Sequence, residues 1–310
     1  MNGTGTQADP YQVTTVAEFY EAIAKHNSEC PYAKLMNDID FNDYNYWDLK
    51  GVEIDFTEFD GQNHVIKNIY FKDIDNLFYI SNPEISRTLK NTIFEVIKFE
   101  SINPSCFISF GSNNIESFVV NCEFRAKTFK YMSSVKSLIY VGTYWRFLNC
   151  VFNIDYYDAG FTGRIFDIST NSTSNYPYMD NCEININLYI YRSGNNTNNI
   201  NIFYTNGRSV FLRNNAIFIN TYCSLSSDAK VNLFNSGCKV SNISLVLQNK
   251  GKQDLKTLNY GAVPQGICIY DKDILGTTII QNTTDSNLIA LTTEQMKDSE
   301  YLNSIGFPII

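Results

Sequence analysis

The sequence predicts an all-β chain wound as a right-handed parallel β-helix, a solenoid with short helical caps at both ends. Three observations predict it. A strand signal headed by asparagine recurs as Asn121-Cys-Glu-Phe, Asn149-Cys-Val-Phe, Asn181-Cys-Glu-Ile, Asn215-Ala-Ile-Phe and Asn242-Ile-Ser-Leu, with Asn68-Ile-Tyr-Phe and a degenerate Val96-Ile-Lys-Phe before them. A second signal interleaves with it: Leu77-Phe78, Cys106-Phe107, Leu138-Ile139, Ile165-Phe166, Ile202-Phe203, Leu233-Phe234 and Ile267-Cys268. Two strands per repeat, each alternating with period two and each returning about every 30 residues, describe a chain that revisits the same place once per turn. The third observation is composition. With 21 Tyr, 22 Phe and only 18% charged residues, the 310-residue chain is β-leaning and too apolar for disorder. Helical repeats would space apolar residues by three and four, and propeller blades need four strands in a longer period. A β-sandwich is the alternative that many short strands alone would support.

Charge excludes some functions. Lys and Arg number 24 against 32 Asp and Glu, a net charge of −8, so no nucleic-acid-binding surface is expected. No stretch approaches the roughly 20 apolar residues of a membrane helix, and the first residues lack the basic and apolar regions of a signal peptide, so neither membrane insertion nor an export address is expected. Eight cysteines without a leader or a CxxC pair read as reduced thiols. The sequons at Asn171, Asn195, Asn242 and Asn282 fit chance in so asparagine-rich a chain.

Residues 1–49 form the predicted N-terminal cap. Thr15-Val-Ala-Glu18 is a capping box opening an amphipathic helix whose Phe19, Tyr20, Ala22 and Ile23 would cover the first coil. Covering matters, because an open solenoid end exposes strand edges and core. The acidic run Asp38, Asp40, Asp43, Asp55 and Asp60 lacks the glycine and terminal glutamate of a calcium loop and reads as a solvated early strand and turn. Residues 50–285 form the solenoid, about eight coils stacked at roughly 4.8 Å each. Equivalent residues of successive coils should form ladders. Cys122, Cys150 and Cys182 share one such column as small interior hydrophobes, with Ala216 and Ile243 continuing it; without a histidine beside them they are no metal site. The asparagines before them, Asn215 among these, make a corner ladder that tolerates unusual backbone angles. Residues 286–310 close the chain, with Thr292-Thr-Glu-Gln295 opening a helix from Glu294 to Asn303.

The candidate catalytic residues are few. Outward residues after the asparagine corner read Tyr70, Lys98, Glu123, Val151, Glu183, Ile217 and Ser244. Glu123 and Glu183, two coils and so about 9.6 Å apart, are marginal for an inverting glycosidase, and Val151 lies between them. The second column reads Tyr79, Ile108, Tyr140, Asp167, Tyr204 and Asn235, where Asp167 has no acidic neighbour. His26 and His64 are the only histidines, and His64 sits in a turn without a serine-triad motif around it. No Walker loop or dinucleotide fingerprint is present, so no cofactor and no metal are expected. The candidate binding residues are the outward Tyr79, Tyr140 and Tyr204, whose amphipathic rings suit a protein interface or a sugar, although tyrosine is also simply common on strands. Tyr176, Tyr178 and Arg192 join them, lying in or beside the polar inserts Ser169–Tyr178 and Tyr191–Asn199, which should project from the shaft.

Three stretches carry a resemblance: Asp9-Pro-Tyr-Gln-Val-Thr-Thr-Val-Ala-Glu-Phe, then Phe59-Asp-Gly-Gln-Asn-His-Val-Ile-Lys-Asn-Ile-Tyr-Phe, and Glu294-Gln-Met-Lys with Tyr301-Leu-Asn-Ser-Ile-Gly-Phe-Pro. They look like right-handed parallel β-helix (pectate-lyase-like) proteins encoded by bacteriophages and prophages, and also like repeat-bearing bacterial surface proteins. The match covers both ends and the first coil; the middle agrees only in periodicity. The resemblance implies a virion component assembled in the bacterial cytoplasm: a tail, fibre or receptor-binding element. Its partners would be other virion proteins, a homo-oligomer with a trimer favoured, and a host cell-surface glycan. No family catalytic motif is matched. The leading expectation is a non-enzymatic structural protein; a polysaccharide depolymerase on the same fold is the alternative, and a bacterial surface adhesin the third.

Overall fold

The computed structural model describes residues 1–23, 31–41, 56–72, 85–100, 106–110, 115–127, 137–158, 163–168, 176–190, 199–205, 210–223, 230–234, 238–252, 255, 257–261, 263–281 and 287–308. Among them the strands form three sheets, in which every pairing between strands is parallel. Sheets A and B have ten strands each and sheet C has seven. One coil shows the path: Ser117–Val120 lies in sheet A, Glu123–Lys127 in sheet B, Ser137–Val141 in sheet C, and Trp145–Leu148 is back in sheet A beside its start. This is a parallel β-helix, and parallel crossovers of this kind are right-handed almost without exception. The ladders of sheets A and B start at Tyr11 and Ile39, and the last strand of sheet B is Leu288–Leu291.

The turn from sheet A to sheet B is tight because two residues suffice. Asn121-Cys122, Asn149-Cys150 and Asn181-Cys182 each place an asparagine in the left-handed region, at φ 53°, 53° and 55°. Asparagine accepts that conformation more readily than other side-chain-bearing residues. The residue that follows points inward and must be small. Cys122, Cys150 and Cys182 are 2% exposed or less, stacked in one column. Burial pushes the Cys122 thiol up to about 12, and contact with the Cys150 thiol together with burial raises that of Cys182 well above its usual value. They are packing groups, not nucleophiles.

The register corrects the sequence reading in one coil. The corner asparagine there is Asn214, at φ 55°, not Asn215. Asn215 takes the cysteine position, fully buried, donating to the Met179 carbonyl at 3.0 Å and accepting from the Cys182 amide at 2.8 Å. The doublet Asn214-Asn215 offered two equivalent starts, and the alternation alone does not separate them. Two earlier copies also shift: the corners are Asn63 and Asn91, at φ 64° and 49°, five residues before Asn68 and Val96. Asn68 mimics the motif inside the strand Val65–Lys72, where the pairing carries an irregularity and Asn68 itself has φ 59°. Gly61 opens the first of these corners. A Cβ there would lie 2.5 Å from the Asn91 carbonyl oxygen of the next coil, so the close approach requires glycine.

Inside, side chains stack on their equivalents. Phe94, Phe124 and Phe152 are parallel at 5.4 and 5.2 Å, and Phe166, Phe203 and Phe234 at 4.8 and 5.4 Å. At the N-terminal end helix α1 (Val16–Ile23) lays Phe19 edge-on against Phe41 and Phe59. Its first turn is fixed by Thr15 Oγ1, which accepts from the Glu18 amide at 3.1 Å, while Glu18 reaches back to the Thr14 amide at 2.8 Å.

The C-terminal segment departs from the expected end cap. Instead of one helix from Glu294 to Asn303 there are two, α2 (Thr293–Lys297) and α3 (Ser299–Ser304), broken at Asp298, whose side chain caps the second. They pack against the outward side of sheet B rather than the end of the core. Ile269 and Leu291 face out from their strands and are buried with Leu302 and Phe307 in an apolar cluster separate from the interior. Outward apolar residues concentrate here, with Ile269, Ile289 and Leu291 on the strands and Ile267 beside them at the corner.

A candidate contact face on sheet B

In-register pairing arranges the outward side chains of sheet B in rows along the axis. The first row reads Ile93, Glu123, Val151, Glu183, Ala216, Ser244 and Ile269. Glu123 and Glu183 therefore stand two rungs apart with Val151 between them, but Val65 and Ile93, not Tyr70 and Lys98, precede them, and Ala216 replaces Ile217, which is buried in the interior. Both carboxylates are occupied. Glu123 accepts two bonds from Arg125, at 2.6 and 3.0 Å, and one from Asn153 at 2.7 Å; Arg125 also reaches Glu95 at 3.1 Å. Those carboxylates raise the Arg125 pKa above its ordinary value, Glu123 foremost. Glu183 accepts from Asn185 at 2.7 Å.

The remaining rows are ladders of amides and rings. Asn185 donates to Asn153 at 2.9 Å, Asn187 to Asp155 at 2.7 Å, and Asn220 to Asn187 at 2.9 Å. Next to them Tyr157, Tyr189 and Tyr222 stack face to face, with centroids 4.2 and 4.6 Å apart. Burial in the stack and the nearby Asp155 carboxylate push the Tyr189 hydroxyl up to about 12. This stripe was open to sequence reasoning, since each tyrosine lies eight residues after its corner at Asn149, Asn181 and Asn214. Anchoring the last corner on Asn215 hides it.

The tyrosines singled out from the sequence lie elsewhere. Tyr140, Asp167 and Tyr204 share a row on sheet C as expected, with Ser109 rather than Ile108 next to Tyr140. Arg164 closes this row, its guanidinium 3.5 Å from the Tyr204 ring centre and 2.7 Å from Asp167. Tyr178 does not sit on a projecting insert but on the sheet A strand Tyr178–Asp180, stacked 5.1 Å from Phe211 with Arg146 on its other side at 4.9 Å; Tyr176, just before that strand, packs on Phe211 at 5.5 Å. Tyr79, Arg192 and Asn235 lie outside the described residues, as do His26, Asp43, Asp55 and most of both polar inserts. The described acidic residues are spent locally: Asp38 accepts from the Val65 amide at 3.0 Å and faces His64 at 3.3 Å, and Asp60 accepts from Gln62 and Asn91. Among the described residues no group of three or more histidine, cysteine or acidic side chains is placed to hold a metal.

A cleft of about 520 Å³ lies on sheet B where the C-terminal helices overhang the first row. Its floor is Val151, Glu183, Ala216 and Ser244; Asn149 and Asn181 of the corner ladder line one side and Phe218 the other; Met296, Leu302 and Phe307 form the far wall. Phe218 is 36% exposed, a large ring facing solvent beside small floor residues. A shallower polar groove lined by Arg125, Lys127, Asn153, Asp155, Asn185 and Asn187 lies on the same face.

No protein-family model matches the sequence, and no curated protein matches it. Among solved structures the chain is similar to a putative immunoglobulin A1 protease from Bacteroides ovatus, with a TM-score of 0.45 and 14% identity over 95% of this chain and 87% of that one.

Proposed function

We propose that this parallel β-helix is a non-catalytic structural element of the phage tail or fibre kind, which presents the outward face of sheet B to neighbouring subunits or to a host surface. One observation carries the non-catalytic reading: the carboxylates placed best for acid–base work are held as ladder acceptors. Glu123 is clamped by Arg125 and Asn153, and Asp167 by Arg164. A general acid or base must reach a substrate proton, and these carboxylates are turned to their own neighbours in the rows. Stacked identical side chains and parallel rungs supply stiffness and a regular outer surface. The phage assignment, the virion location and a trimeric assembly rest on the resemblance of the chain ends to β-helix proteins of phages.

Glu183 keeps the depolymerase reading in play, since it is exposed and lines the cleft. Incubating the protein with bacterial capsule and wall glycans tests the choice. No new reducing ends or unsaturated sugars are expected; turnover that disappears in Glu123→Gln, Glu183→Gln or Asp167→Asn would replace the structural reading with an enzymatic one. Light scattering of the purified protein tests the trimer, and protein identification in purified particles from lysogens carrying the gene tests the virion.

A further inference from the structure

We infer that the C-terminal end of the solenoid is a contact surface for a second copy of this chain. Two such ends meet across a two-fold axis, and the edge strand Ile279–Gln281 pairs antiparallel with its own copy about Ile280. The inference does not depend on the phage reading.

The two ends of the shaft are finished differently. At the N-terminal end α1 covers the core, and the Asn2 carbonyl accepts from the Gln12 amide at 2.8 Å beside the first strand of sheet A. At the other end α2 and α3 lie on the outward side of sheet B, and among the described residues no strand pairs beyond Ile279–Gln281 or Leu288–Leu291. Tyr270, Ile280 and Leu288 are only partly buried against the interior cluster, and Ala290, in register with the inward Tyr270, is exposed. These are core positions open on one side.

Backbone direction shows which edges are available. Successive residues of a strand turn their amides and carbonyls to opposite sides. Gln281 turns its carbonyl back to the Tyr260 amide at 3.0 Å, so Ile280 aims its amide and carbonyl away from the shaft. Asn287 and Leu291 turn their carbonyls back to the Cys268 and Lys272 amides, both at 2.8 Å, so Leu288 and Ala290 aim outward too. On sheet A the Gln265 amide turns back to Val240, and the residue left facing the open side is Pro264, which has no amide to offer. Sheet A is blunted, whereas sheets B and C present edges that a further strand would satisfy.

Charge and closure name the occupant. A two-fold contact sets a surface against its own copy, so a charge near the axis would face its like. Ile279-Ile280-Gln281 and Leu288-Ile289-Ala290-Leu291 carry none, in a chain whose net charge is −8. Antiparallel pairing about Ile280 sets its open amide and carbonyl against the same groups of its copy, and brings Ile279, 60% exposed, across from Gln281 of the second copy. Head-to-tail stacking would need a bare N-terminal core, which α1 covers. The contact therefore closes after two copies.

Light scattering of the full chain beside two variants tests the contact. Ile280→Pro keeps an apolar side chain and removes only an amide that points away from the shaft. Ile279→Asp changes a side chain that is already exposed and sets a like charge on each side of the axis, so it reports even where the proline variant does not fold. Wild type is expected at twice the mass of either variant, with melting temperatures within a few degrees. A nitroxide at Gln281 should find its copy within about 25 Å by pulsed electron resonance, a signal that Ile279→Asp removes. Equal masses for wild type and the folded variants would overturn the inference and leave the phage reading untouched. A doubled mass without the short Gln281 distance would overturn it as well, because the copies would then join elsewhere.

Discussion

Asn91 donates its side-chain amide to Asp60 at 3.1 Å, one coil back along the axis. The same direction repeats through Asn121 to Asn91, Asn149 to Asn121 and Asn181 to Asn149, so the corner ladder is a chain of amides that ends on a carboxylate. Other rows are built alike, with Asn153 ending on Glu123, Asn187 on Asp155, and Asn242 reaching Asp180 through Asn214. Each amide both donates and accepts, and a full acceptor at the head fixes the polarity of the row. The acidic residues of this chain do structural work in its ladders.

Corner substitutions should therefore separate two costs. Asn149→Ala forces alanine into the left-handed region, a penalty of about 1–2 kcal/mol, and also removes two ladder bonds. Asn149→Gly removes the bonds only. Denaturant midpoints should fall in the order wild type, glycine, alanine; equal midpoints for the two variants would mean that backbone strain is not a factor at the corner.

Asn215 makes a sharper case. Isoleucine occupies the equivalent position one coil later, at Ile243, so hydrophobicity alone favours Asn215→Ile. The structure predicts the opposite, a loss of about 1–3 kcal/mol, because the Cys182 amide and Met179 carbonyl would be left buried without partners. Urea unfolding of the single variant reads the sign directly.

Gly61→Ala should be among the most damaging changes of a small residue. The added methyl would meet the backbone of Asn91 and Thr92, which are parts of the next coil and cannot yield as a flexible side chain would. Loss of soluble protein or a drop of several degrees in melting temperature is expected, against no change if the first corner can open.

Acid should weaken the N-terminal cap first. Hydrogen bonds from Thr14, side chain then backbone, hold the Glu18 carboxyl down at about 2 from an ordinary 4.5. A depressed folded-state pKa adds stability that is complete above the unfolded value and is lost as the pH falls from 4.5 through 2. Comparing wild type with Glu18→Gln, the stability gap should be widest above pH 5 and closed near pH 2; a gap independent of pH would show that the carboxylate charge contributes nothing.

The fold was legible because β-helix periodicity is written twice per coil, once at the asparagine corners and once at the sheet C strands. What the sequence could not supply was register where the motif doubles, as at Asn214-Asn215, or is imitated within a strand, as at Asn68. A slip of one residue exchanges inside for outside. It put Ile217 on the surface and concealed the Tyr157, Tyr189 and Tyr222 stack. The placement of α2 and α3 was also out of reach, since an amphipathic segment covers a sheet face as readily as a core end. The run of outward apolar residues Ile269, Ile289 and Leu291 was the signal for it.

Stacking of the coils is the claim on which every row and ladder depends, and pulsed electron resonance between nitroxides tests it most directly. Glu58, Tyr178, Phe211 and Lys239 face outward in one row of sheet A, the last three being four, five and six rungs from the first. Labels at Glu58 and each of the others should give separations of about 19, 24 and 29 Å, equal steps of roughly 4.8 Å despite unequal spacing in sequence. Separations that fail to rise rung by rung would contradict the winding itself.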